Sequence, residues 1–391
     1  MRIAYYAPLK SPTHSVPSGY RRVGRLFFEA LERAGHEVNL VSTLRTYEPN
    51  GDPERQERLR EEGVAEARDL IARWSGERAS EAPDLWFTYH VYYKAPDWLG
   101  PMVSEALGVP YVIAEASYAP KRAAGPWAIG HAAAARSIRA ASLILCPTRD
   151  DVQCVRPLVG PPGTVEWLPP FLDAAPYQSA GRGRAVHRDR LAREHDLDST
   201  VPWIVVVAMM RAGDKEASYR MLVESLGRLT DIPWQVVIAG DGAARGDIEK
   251  AFEGVVPGRA RFLGEQGSSG LAKVYAACDL CLWPAVNEAY GMAMLEAQAA
   301  GLPVVSRSVR GVPDVVCDGL TGLLALPADK EAFVDFARQL LVNPSRRLAM
   351  GRAAAQFAGG ERGLEFTAAR LGKSIADLAT SSNRRPAAIR K

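Results

Sequence analysis

Residues 284–306, PAVNEAYGMAMLEAQAAGLPVVS, restrict the possible fold of this chain more than any other stretch. An apolar run, Leu280-Cys281-Leu282-Trp283, stops at Pro284, and a polar turn carries Glu288. An Ala-rich helical pattern opens near Gly291 and stops at Gly301, and Val304-Val305 starts another apolar run. Strand, loop, helix and strand in that order make a crossover unit of a parallel sheet. Its loop lies at the carboxyl edge of the sheet, where the first-turn N–H groups of the helix favour an anion. Glu288 and Glu296 have seven residues between them. With a helix start near Gly291, Glu288 stays in the loop and Glu296 falls roughly 8 Å along the axis. One site can then hold a phosphate with an acid on either side, although a loop acid and a helix acid by themselves need no function.

At 391 residues the chain exceeds one ordinary core and suits two domains. Hydrophobic content of 47% with 24% charged residues is ordinary for a soluble globular protein. A net charge of +3 falls short of a nucleic-acid binder and leaves room for a cationic site for phosphorylated ligands. Five cysteines without a framework spacing argue against an oxidised scaffold. Cys278 and Cys281, a lone C-x-x-C across an apolar strand, read as buried thiols. Met1-Arg2 leads straight into Ile3-Ala4-Tyr5-Tyr6-Ala7 without an apolar segment long enough to span a membrane. A cytoplasmic location is expected, with peripheral membrane contact left open.

In the first half, a strand over 3–7 and a loop rich in Pro, Ser and His deliver Ser18-Gly19 to a helical pattern over 22–34. A glycine there lets a ligand approach the helix N–H groups, but no G-x-G-x-x-G is present, so dinucleotide binding has little support. Residues 53–78 form a charged amphipathic pattern with no assigned chemistry. Strands over 85–89, ending in His90, and over 110–114, ending in Glu115-Ala116-Ser117, bring two polar groups to one sheet edge. Residues 174–200 are polar, with Gly and Arg, and predict a solvated linker into a second domain.

The second half repeats the alternation. A strand over 202–208 leads to Arg211 and Lys215, with a helix from about 217 to 229. Arg clamps phosphate oxygens bidentately and Lys adds a compact charge, so the pair suits a departing diphosphate. The strand over 234–239 ends in Gly240-Asp241-Gly242, a tight turn, and Arg261-Phe262-Leu263-Gly264 is a short strand. Helices follow at about 330–341, 344–357 and 366–378.

The run NEAYGMAMLEAQAAGLPVVSRSVRGVPDVVCDGLTGLL, with Arg211 and Lys215 before it, resembles the glycosyltransferase-4 family. The resemblance covers nearly the whole chain and is most specific over 211–329. It implies the GT-B architecture, an α/β fold of two facing Rossmann-like domains with parallel sheets and an interdomain cleft. The domains would be residues 1–180 on the acceptor side and 200–360 on the donor side. A helix over 361–380 would pack back on the first domain, and 381–391 would be a disordered tail.

The resemblance also implies roles. Arg211 and Lys215 would bind the donor diphosphate, together with the N–H groups of Ala289, Tyr290, Gly291 and Met292. Glu288 would face the donor sugar and Glu296 the ribose, with Gly242 and Leu263 near the nucleotide. Gly19 and His90 would lie on the acceptor or sugar side. Glu115 stands where many members carry a His, which points to a different sugar or acceptor.

The activity implied is retaining transfer from a UDP- or GDP-sugar to an acceptor hydroxyl on a glycan, lipid-linked or small-molecule acceptor. Arg211, Lys215 and Glu288 would be the catalytic residues. Neither metal nor cofactor is expected. An epimerase or phosphorylase on the same fold, or a non-catalytic sugar-nucleotide binder, are the alternatives.

Overall fold

In the computed structural model, which describes residues 1–16, 18–76 and 78–383, the alternating pattern becomes two six-stranded parallel sheets. They belong to two compact units, Met1–Pro169 with Glu365–Lys391, and Pro170–Leu364.

The first unit runs β1 (Arg2–Tyr6), α1 (Gly19–Arg33), β2 (Glu37–Leu40), α2 (Pro53–Ser75), β3 (Leu85–Val91), α3 (Gly100–Leu107), β4 (Tyr111–Ala116), α4 (Ala128–Ala140), β5 (Leu143–Cys146), α5 (Arg149–Val155) and β6 (Thr164–Trp167). Its sheet order is β2-β1-β3-β4-β5-β6. The strands are near-continuous apolar runs because helices cover both faces of a parallel sheet; Tyr5, Trp86, Phe87, Val112, Ile113 and Ile144 are all buried. In α2, Leu59, Ala67, Leu70 and Trp74 bury one stripe, and Asp52 caps the first turn by accepting from Glu54 and Arg55 N–H.

The second unit runs α6 (Ala175–Arg182), α7 (Arg184–His195), β7 (Trp203–Val207), α8 (Asp214–Gly227), β8 (Gln235–Ala239), α9 (Arg245–Val255), β9 (Ala260–Gly264), α10 (Ser268–Ala277), β10 (Leu280–Leu282), α11 (Met292–Ala299), β11 (Val304–Arg307), α12 (Val312–Val315), β12 (Gly322–Ala325), α13 (Lys330–Val342) and α14 (Pro344–Gly359). Its order is β12-β11-β10-β7-β8-β9. Cys278 and Cys281 are buried in its core, and burial pushes the Cys281 thiol up to about 12.

Three expectations change. Residues 174–200 are not a solvated linker: they hold α6 and α7, with Tyr177 and Leu191 buried, and the unit boundary moves up to Pro169. The basic run is occupied. Arg184 and Arg188 clamp the Asp279 carboxylate at 2.7 and 2.9 Å, and Arg188 also donates to Ala277 O at 2.8 Å. Cations thus meet the carboxyl end of α10, where the helix dipole favours them. Second, Lys215 sits in the first turn of α8 rather than in a loop. Third, α15 (Leu364–Asn383) continues past residue 380. It is tied within the first unit by Ser374 Oγ donating to Glu166 Oε2 at 2.8 Å. The rest of the expected tail, 384–391, lies outside the described residues.

Candidate functional site

The second sheet places the loops in question together. From β7 the chain moves outward through β8 and β9, then returns to the other side of β7 with β10. The order therefore reverses between β7 and β10, and ligands of open α/β sheets bind at such a switch point, beyond the strand carboxyl ends. The loop after β7 carries Arg211, and the loop after β10 carries Glu288.

The β7 loop is shaped by its neighbour. Met210 N–H donates to Asp241 O at 2.8 Å, and Ala244 N–H to Met210 O at 2.9 Å. Gly242, at φ +151°, lies so close that an added Cβ would be 2.2 Å from Met210 O, so the tight turn is steric in origin. Leu263, next to the end of β9, is half-buried, and its carbonyl accepts from Gln266 Nε2 at 2.8 Å.

The β10 loop is held in an unusual backbone path. Ala285 and Asn287 have φ of +55° and +51°, in the left-handed region that costs a non-glycine residue about 1–3 kcal/mol. Surrounding bonds hold the path. Val286 N–H donates to Ser218 Oγ at 3.0 Å, Asn287 Nδ2 to Asp214 Oδ2 at 2.8 Å, and Arg310 Nη1 to Asn287 Oδ1 at 3.1 Å. Gly311 N–H donates to Ala289 O at 3.0 Å. Gly291 (φ +80°) ends the loop and opens α11 at Met292, with no side chain capping the helix. Helix N-termini of this kind bind phosphate through their backbone donors.

Into this frame project Lys215, Glu288 and Trp283. Lys215 Nζ donates to Glu288 Oε2, and Trp283 Nε1 donates to the same oxygen at 3.2 Å. The Lys215 and Glu288 side chains are only 21% and 15% exposed, and the ammonium lies 5.4 Å from the centre of the Trp283 ring. A cation in the first turn of α8 faces the unfavourable end of the helix dipole, so it requires a nearby anion. Arg211 is exposed and, among the described residues, forms no ion pair. Glu296 lies within α11, 5% exposed, and the Tyr275 hydroxyl donates to its Oε2 at 3.4 Å and to Ala293 O at 3.0 Å. Tyr290 is half-buried between Ala289 and Gly291.

In the first unit, β3 and β4 each run past the expected ends and kink there. His90 and Glu115 have φ of +66° and +64°, and their flanking residues pair in register, Tyr89 with Ala114 and Val91 with Ala116. His90 Nδ1 and Glu115 Oε1 approach to 2.8 Å, with side chains 12% and 13% exposed. The rings of Tyr20 and Tyr92 stand edge-on to His90, each at 5.0 Å. Gly19 opens α1 after Ser18, whose Oγ accepts from Arg21 N–H at 3.2 Å. A Cβ on Gly19 would meet no atom within 4 Å, so packing does not require glycine there.

Trp283, Asp214, Ser218 and Asn287, which aim Glu288, and the tyrosines around His90 are site residues that no motif in the sequence marks. A tryptophan closing a buried strand just before a loop acid was the available signal. Among the described residues, no group of three or more His, Cys, Asp or Glu converges as a metal site.

Residues 201–343 match the family model described as glycosyl transferases group 1. The chain is 34% identical over 144 residues to a D-inositol 3-phosphate glycosyltransferase of Corynebacterium aurimucosum, covering 36% of this chain and 34% of that protein. It is also 34% identical over 142 residues to a sulfoquinovosyl transferase of Arabidopsis thaliana, covering 36% and 27%. It thus spans about a third of the length of the curated relatives it matches. Among solved structures it resembles sucrose-phosphate synthase from Thermosynechococcus elongatus (TM-score 0.69, 19% identity, 97% of this chain and 99% of that one). A second is Anabaena HepE in complex with UDP and glucose (TM-score 0.65, 15% identity, 97% and 99%).

Proposed function

We propose that this chain, of the GT4 type by the family match at residues 201–343 and by its GT-B sheets, transfers a sugar from a nucleoside diphosphate sugar to an acceptor hydroxyl with retention of anomeric configuration. The observation that carries this reading is the Lys215–Glu288 pair at the β7/β10 switch point, beside the uncapped start of α11. Lys215, Arg211 and the backbone N–H groups of Ala289, Tyr290, Gly291 and Met292 would take the diphosphate. Glu288, held by Trp283, would orient the donor sugar, and Glu296 would bind the ribose. In the reaction the anomeric carbon–oxygen bond to phosphate breaks and a bond to the acceptor oxygen forms on the same face. The leaving phosphate takes the acceptor's proton. Charge grows on that phosphate in the transition state, and fixed cations stabilise it most there. These cations supply the role a divalent metal plays elsewhere.

UDP is the first nucleotide to test, since HepE, which shares the fold, is described with UDP and glucose. Among the described residues no helix is long and apolar enough to cross a membrane, and a cytoplasmic site of action belongs to this reading. The test is to incubate UDP- and GDP-sugars with an acceptor panel and follow nucleoside diphosphate release, with the product's anomeric configuration read by NMR. Acceptor-dependent release with a retained anomer supports the reading. An altered sugar from donor alone marks an epimerase, release only with added phosphate marks a phosphorylase, and tight nucleotide binding without turnover marks a binding protein.

A further inference from the structure

The loop after β1 is bound through its carbonyl groups. Arg45 Nε donates to Leu9 O at 3.0 Å, Arg25 Nε to Pro12 O at 2.7 Å, and Arg21 Nη1 to Ser15 O at 3.1 Å. Among the described residues, none of these guanidinium groups, nor the ammonium of Lys10 on the same loop, has a carboxylate within ion-pair distance. A carbonyl satisfies a donor but cancels no full charge, and each guanidinium has five N–H donors. Partial burial, followed by the like charges of Arg45 and Arg21, holds the Lys10 ammonium below the usual lysine range. Such a field attracts anions.

The place matters as much as the charge. The chain steps from β1 to β2 on one side and then to β3 on the other, so this loop lies at the first sheet's own switch point, beside the end of β3. Aromatic rings adjoin it. The Arg45 guanidinium stands 4.8 Å from the centre of the Tyr47 ring, and Tyr92 packs on His90. Burial, then the neighbouring phenols of Tyr20, Tyr47 and Tyr93, keeps the Tyr92 hydroxyl well above the usual tyrosine range, so it stays a neutral donor. Rings and hydroxyls beside a cluster of cations fit a hydroxyl-rich molecule that carries a phosphate.

We infer that Lys10, Arg21 and Arg45 bind the phosphate group of an acceptor whose hydroxyl-rich portion lies toward Tyr47, Tyr92 and His90. Naming the ligand an acceptor rests on the transfer reading; the anion site does not. The test is calorimetric titration of the full chain with inorganic phosphate and with glucose 6-phosphate. Lys10→Gln and Arg45→Ala should weaken binding about tenfold or more, the cost of one charge-assisted hydrogen bond. Lys10→Gln guards against a folding defect in Arg45→Ala, because the Lys10 side chain donates no hydrogen bond to the described residues. Glucose 6-phosphate binding without cosedimentation on phosphatidylcholine vesicles containing phosphatidylinositol assigns the phosphate to a soluble acceptor. Cosedimentation lost in the same two variants assigns it to a lipid headgroup. Absence of binding to the unmodified chain, or binding indifferent to both Lys10→Gln and Arg45→Ala, overturns the inference. Titration of the same preparation with UDP separates the two readings: UDP binding without phosphate binding removes only this site, and the reverse removes only the donor assignment.

Discussion

Lys215 Nζ donates to Glu288 Oε2, and the same oxygen accepts from Trp283 Nε1 at 3.2 Å. The group proposed to hold the diphosphate is therefore held by the group proposed to hold the sugar. A donor entering this site must compete with Glu288 for Lys215, and the competition has a direction. Glu288→Ala should release Lys215, leaving UDP affinity unchanged or raising it by up to about tenfold, while transfer falls by about 10²-fold or more. Calorimetry with UDP and a steady-state rate measurement check the two halves. Loss of UDP affinity in this variant would show that Glu288 supports the diphosphate rather than competes with it.

Asp279 receives Arg184 and Arg188 on its two oxygens and the Trp203 N–H at 2.8 Å. Asp279→Ala leaves Arg188, whose side chain is 15% exposed, without its counter-charge. The expected loss is about 2–4 kcal/mol, toward the low end for a broken buried pair because Arg184 keeps access to solvent. Urea unfolding of the second unit measures it.

His131 packs at a tilt against Tyr118, in the segment that follows β4, with ring centres 4.9 Å apart, and its Nε2 is buried without a hydrogen-bond partner. Burial, only partly offset by a bond to the Ala119 backbone, holds its imidazole below the usual value of 6.5. The unfolded chain takes up this proton more readily than the folded one, so stability is complete above about pH 6.5. It declines as the pH falls through the depressed folded value. His131→Phe keeps the ring and removes the titration. Thermal melting from pH 8 to pH 5 should show a shallower acid decline in the variant, and an unchanged slope would remove His131 from the account.

Much of the fold could be read because apolar runs and glycine stops are local. The strand before Trp283, the helix opening at Gly291 and the β7 strand before Arg211 stand where periodicity puts them. What escaped depended on partners distant in sequence. Residues 184–190 read as solvated because Asp279, which neutralises Arg184 and Arg188, lies far along the chain. Glu288 and Lys215 both drew notice, but their pairing needed the β10–β7 neighbour relation, which no local pattern contains. The kinks at His90 and Glu115 were also hidden, since a left-handed turn at a non-glycine residue is imposed by its surroundings. Lys10 and Arg45 stand far apart in sequence, and only the folded loop after β1 brings them together.

On the proposed function, Arg211 and Lys215 carry the departing diphosphate. The most direct measurement is the rate of nucleoside diphosphate release at saturating donor and acceptor in Arg211→Ala and Lys215→Ala. A fall of about 10²-fold or more is expected in each, the cost of losing one donor to transition-state charge. Near-normal rates in both variants would contradict it.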